Sequence, residues 1–160
     1  MMAFGLSGST SRVFVGGGMR TANQAKHIFC LEGLWDKDLR RNSSVLPVLK
    51  LLWRVYPLKF IHRDCATRAE FEFYVKKWSE KRYENYPILY LPFHGDECEI
   101  ALSDETCKLD DIADILENKC ANRVIIFGSC STLHIDKRNI KKFLWKTEAL
   151  AVCGYRTDVG

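Results

Sequence analysis

The chain has 160 residues, 47% of them hydrophobic and 12% aromatic, which suffices for one buried core and leaves nothing for a second domain. Its formal charge of +4 is spread along the chain and no apolar run approaches membrane-spanning length, which argues against a nucleic-acid or membrane partner. Seven cysteines, an odd number scattered through apolar runs, read as reduced thiols of a cytoplasmic protein and not as a disulfide framework.

Residues 1–25 are rich in Gly, Ser and Thr and read as a flexible N-terminal arm, with at most a short strand at Val13-Phe14-Val15. Gly16-Gly17-Gly18 is not a phosphate loop, because no Gly-Lys-Ser/Thr follows and no helical pattern starts there. Residues 26–160 then alternate strand and helix. A first strand is expected at 27–33. Ser43 and Ser44 open a helix with Pro47 in its first turn and Val45, Val48, Leu49, Leu52 and Val55 as its apolar positions. Pro57 ends that helix, and residues 58–62 form a second strand. Thr67-Arg68-Ala69-Glu70 is a capping box before a helix carrying Phe71, Tyr74, Val75 and Trp78. The third strand is the apolar run 88–93, with Pro92 marking its end because proline cannot donate to the ladder.

Beyond it, residues 98–102 read as a short edge strand or half a hairpin, and Leu109, Ile112, Ala113 and Leu116 as one face of a third helix. The fourth strand is 123–127. Asp136 caps a helix with Ile140, Phe143 and Leu144, whose basic stretch 136–142 is a solvated face, and the fifth strand is 149–155. Apolar strands separated by helices imply a mostly parallel sheet, so the expected fold is a three-layer α/β/α sandwich.

Two strands end in residues that carry chemistry. The run 88–93 leads into His94-Gly95, and the run 124–127 into Gly128-Ser129-Cys130, with one helical crossover between them. Parallel strands so connected place an imidazole and a thiol at the same edge of the sheet, where open α/β folds bind ligands. Cys30, Cys65, Cys120 and Cys153, with His27 and His62, read as core or incidental residues.

A strand ending in His-Gly, a helix, and a strand ending in small residues and Cys resembles the caspase-like cysteine peptidases, the group of caspases, metacaspases, gingipains, separases and bacterial CHAT domains, over residues 27–159. The resemblance, to the bacterial CHAT-like branch above all, implies a caspase-like sheet and a cysteine endopeptidase that needs no cofactor. It makes Cys130 the nucleophile, His94 the acid and base, and the backbone N–H groups of Gly95 and Cys130 the oxyanion hole. It also implies a residue that reads the substrate side chain before the cleaved bond. Asp158 would fill that role and select a basic residue, with Asp96 and Glu97 as competitors. Partners would be a protein or peptide substrate and an activating chain. The family usually has a sixth strand, and this sequence stops at Gly160 soon after the fifth, which suggests a minimal or C-terminally truncated domain.

Two other readings use the same residues. His94, Cys98, Cys130 and His134 form a donor set suited to zinc. A non-catalytic domain of the same fold would bind a partner protein and give Cys130 no special reactivity.

Overall fold

In a computed structural model, the described residues are 11–15 (backbone only), 26–41, 43–134 and 136–157. The first strand, β1 (Ser11–Val15), is the short strand expected inside the arm, extended by two residues. It is followed by β2 (Ile28–Glu32), α1 (Leu46–Val55), β3 (Phe60–Asp64), α2 (Arg68–Ser79) and β4 (Ile88–Leu91). A small antiparallel sheet of β5 (Gly95–Asp96), β6 (Glu99–Ala101) and β7 (Thr106–Lys108) interrupts the alternation. It continues with α3 (Leu109–Ile115), β8 (Val124–Phe127), α4 (Lys137–Thr147) and β9 (Ala151–Tyr155).

The main sheet runs β3-β2-β4-β8-β9-β1. Its first five strands are parallel and β1 is antiparallel to β9, pairing Ser11 with Tyr155 and Val15 with Ala151. This is the expected α/β/α sandwich. Phe29 and Leu31 of β2, Leu89 and Leu91 of β4, Ile125 and Phe127 of β8 and Val152 of β9 join Phe71, Val75 and Trp78 of α2, Ile112 of α3 and Phe143 of α4 in one core cluster. Three helices therefore cover that face. Period-two alternation turns Cys30 and Glu32 to the other face. There Glu32 meets the start of α1, its Oε1 accepting the Val45 N–H at 2.7 Å. The split follows from right-handed crossovers: the chain steps one way from β2 to β3, then reverses past β2 to reach β4.

Several local expectations hold. Thr67 and Glu70 form the capping box of α2, Asp136 accepts from the Arg138 N–H, and β4 stops at Leu91, just before Pro92. Two others shift. The second strand starts at Phe60 and not at residue 58, because a tight turn in which the Leu58 N–H reaches the Tyr56 carbonyl at 2.7 Å delays it. The N-cap of α1 is Val45, which makes no side-chain cap. Ser44 instead accepts the Leu46 N–H at 3.0 Å and donates to Glu32 Oε2 at 2.7 Å, so a carboxylate from another element closes the helix.

Candidate active site at the C-terminal rim

Leu91 of β4 and Phe127 of β8 are paired residues on adjacent parallel strands. His94 and Cys130 each follow three positions later, so the two residues leave neighbouring strands at the same rim of the sheet. Sequence reasoning required this juxtaposition. The loops also touch: a Cβ at position 95 would lie 2.4 Å from Thr132 Oγ1, 2.7 Å from the Cys130 carbonyl oxygen and 2.8 Å from Ser129 Cβ. Only glycine fits at position 95.

His94 is exposed, and its ring packs edge-on against Trp35 with centroids 5.2 Å apart. Its Nε2 lies 2.8 Å from the Trp35 carbonyl oxygen. A carbonyl only accepts, so Nε2 carries the hydrogen and the lone pair of the neutral ring sits on Nδ1. Trp35 is held in turn by Glu32, whose Oε1 accepts the indole Nε1–H at 2.6 Å.

The Gly95 N–H has its direction set by the hairpin. The His94 carbonyl accepts the Ala101 N–H at 2.8 Å, which makes positions 94 and 101 a hydrogen-bonded pair. In an antiparallel ladder such pairs alternate, so the next pair, Gly95 with Ile100, is the non-bonded kind and the Gly95 N–H points away from β6. The two-residue turn beyond it, Glu97-Cys98, closes with Cys98 at φ 65°.

Cys130 is half-buried. Its loop is pinned by the Thr132 hydroxyl, 2.7 Å from Ser129 Oγ, 3.1 Å from the Cys130 carbonyl and 3.4 Å from the Glu99 carbonyl. Ser131 at φ 51° makes the turn. Burial pushes Cys65, Cys107 and Cys120 up to about 12, and it drives Cys30 upward too, with help from the charges of Glu32 and Asp64. Cys98 and Cys153 are also raised, chiefly by burial. Core readings of Cys30, Cys65 and Cys120 agree with their exposures of 2% or less.

The remaining candidates are placed as follows. Asp158 lies outside the described residues. Asp96 accepts the Glu97 N–H at 2.7 Å, and Glu97 Oε1 sits 2.6 Å from His134 Nδ1. Of the zinc set, His134 thus faces a carboxylate. Among the described residues, the metal-type donors that gather within 4.8 Å of one another are those of Glu32, His62 and Asp64.

Sequence reasoning missed that last cluster. Glu32 is 2% exposed and receives hydrogen bonds from Trp35, Ser44 and the Val45 N–H, with His62 Nε2 2.6 Å from its Oε2. Burial raises the carboxyl, but the bonds from Ser44, Trp35, His62 and Val45 outweigh it and hold Glu32 below the usual carboxylate range. The available signal was a lone carboxylate closing an otherwise apolar strand.

The rim of this parallel α/β sheet therefore carries a thiol and an imidazole of fixed tautomer on neighbouring strand ends, with a buried carboxylate behind Trp35. Residues 25–160 match the family described as "Family of unknown function (DUF6642)", and the chain belongs to that family. No curated protein matches the sequence.

Proposed function

We propose that this chain is a cysteine endopeptidase of the caspase-like kind, acting in the cytoplasm, with His94 and Cys130 as its dyad. The observation that carries the reading is the Trp35 carbonyl at 2.8 Å from His94 Nε2, which leaves Nδ1 as the basic nitrogen on a strand end level with Cys130. In the reaction the Cys130 thiol gives its proton to His94, and the sulfur bonds to the substrate carbonyl carbon. The resulting oxyanion is met by the Gly95 and Cys130 N–H groups. The C–N bond breaks as His94 protonates the departing amine, leaving a thioester. Water, deprotonated by His94, then attacks, and the C–S bond breaks to release the acid and restore the thiol.

The sheet does have a sixth strand, β1, antiparallel to β9, but it precedes β2 in the chain and so differs in order from the strand after the fifth that the resemblance implies. The seven cysteines, none in a disulfide, suit a reducing compartment. No helix among the described residues is long and apolar enough to cross a membrane.

The test is reaction of the full chain with short peptides bearing a thiol-reactive warhead, followed by mass-spectrometric mapping. Labelling concentrated at Cys130, slowed on the order of 10²–10⁴-fold in His94→Ala, is the expected result. A warhead with Lys or Arg before the reactive group should outpace one with Asp, and Asp158→Asn should remove that preference. Slow labelling of Cys130, unaffected by His94→Ala, would return the domain to non-catalytic partner binding. One tightly held zinc per chain in the purified protein would replace the peptidase with the metal reading.

A further inference from the structure

At the opposite, N-terminal end of the strands lies a surface that the proposed dyad does not use. Pro47, Lys50, Leu51 and Arg54 recur at helical spacing along one face of α1. With Trp53, Lys59, Phe60 and Tyr86 they line a cavity of about 830 Å³. Pro47 and Lys50 also line a second cavity of about 500 Å³, which continues toward His62 and Asp64. That second cavity belongs to the C-terminal side and carries Glu32 and Asp64 as well as Arg41, whereas the larger one is a groove between α1 and the start of β3. Its walls are unusually apolar for a helix of ten residues at a surface: Leu51 is 60% exposed, Trp53 58%, and Val48, Val55 and Tyr56 beside them are as open. Among the described residues β3 has no neighbouring strand on its outer side, so its backbone can accept one.

The charges choose the occupant. Every charged side chain of the larger cavity is a cation, Lys50, Arg54 or Lys59, and none of the three has an ion-pair partner among the described residues. Arg68, by contrast, reaches Glu72, Glu105 and Asp111, and Lys142 and Lys146 reach Asp110 and Asp114. We propose that the groove between α1 and β3 docks an acidic peptide segment of a partner protein, one that presents an aliphatic or aromatic side chain flanked by carboxylates. The apolar residue enters beside Leu51, Trp53 and Phe60, the carboxylates meet Lys50, Arg54 and Lys59, and the extended backbone continues the sheet along β3. A concave groove beside an open strand favours a peptide over a flat lipid surface, although the residue types alone would serve either.

The experiment is binding of the full chain to a displayed library of random octapeptides, which is blind to any peptidase activity and so stands or falls apart from the dyad. Enrichment of sequences with Leu, Ile or Phe among Asp and Glu is expected. An enriched peptide, labelled with fluorescein, should bind at least about tenfold more weakly to a Lys50→Glu, Arg54→Glu, Lys59→Glu variant and weaken as salt rises. Binding should also blue-shift tryptophan emission in the wild type and not in Trp53→Phe. The altered side chains are exposed, and thermal melts verify that each variant folds. The proposal is overturned if no acidic-apolar sequence is enriched, or if charge reversal leaves affinity unchanged. It is equally overturned if the chain ignores peptides and sediments with phosphatidylserine vesicles, or if Leu51→Asp converts a dimer into a monomer.

Discussion

Two histidines stand near the same rim of the sheet, and their partners divide their work. His62 is nearly buried and its Nε2 lies against a buried carboxylate, Glu32, at 2.6 Å. His94 is exposed and its Nε2 lies against a neutral carbonyl at 2.8 Å. The carboxylate ties the His62 ring into a cross-link between β2 and β3, whereas the carbonyl fixes the tautomer of His94 and leaves the lone pair on its Nδ1. The same residue type is thus a strut in one corner and, in the proposed dyad, the base in the other. Glu32 connects the corners, since it grips His62 on one side and the indole of Trp35 on the other.

If that account is right, the largest effect belongs to Glu32. Glu32→Ala strands the Ser44 hydroxyl, the Val45 N–H, the Trp35 indole and His62 at once, and should cost about 3–5 kcal/mol in urea unfolding. A cost under about 1 kcal/mol would mean that the corner is held by packing and that the carboxylate is incidental. Next comes the other corner. Gly95→Ala drives a methyl group to within 2.7 Å of the Cys130 carbonyl and 2.4 Å of Thr132 Oγ1, so the loops must part. About 1–3 kcal/mol of destabilisation is expected, with loss of warhead labelling at Cys130. Retained labelling would show that the oxyanion role assigned to Gly95 is wrong.

A finer cut separates ring from backbone at Trp35. Trp35→Phe removes the indole donor to Glu32 but keeps the carbonyl that faces His94. Stability should fall by about 1 kcal/mol, while labelling of Cys130 drops much less than in His94→Ala. Equal losses would show that the indole, and not the carbonyl, governs His94.

The contrast between the corners also explains what could be read in the letters. His94 and Cys130 were legible because each ends an apolar run, and strand ends on a parallel sheet share a rim by geometry alone. The α2 cap was legible because Thr67 and Glu70 are three residues apart and complete each other locally. Trp35 was not, since the group that matters is its carbonyl, which every residue possesses. Nor was the Glu32–His62 pair, whose members lie on separate strands 30 positions apart and meet only through the β2–β3 register. The same long-range carboxylate explains why α1 is capped at Val45, with Ser44 bonding its first turn from one residue earlier. The β1–β9 pairing joins opposite ends of the chain, and a local pattern contains nothing that specifies it.

Acidification makes the mildest probe, because it only adds protons and leaves every heavy atom of the strut in place. The Glu32 carboxyl is held below its ordinary range in the folded chain, so the stability it contributes is complete at neutral pH and is lost as pH falls through that lowered folded value. Urea midpoints of wild type should therefore decline below the usual carboxylate range. Other lowered carboxylates, among them Glu70 and Glu72, decline with it, so the informative quantity is the difference from Glu32→Gln. That variant removes the titration and most of the charge-assisted bonding together. Its curve should run parallel to wild type near neutrality and converge on it in acid. Curves that stay parallel throughout would move the acid sensitivity away from this corner and remove the argument that Glu32 works as an anion beneath His62 and Trp35.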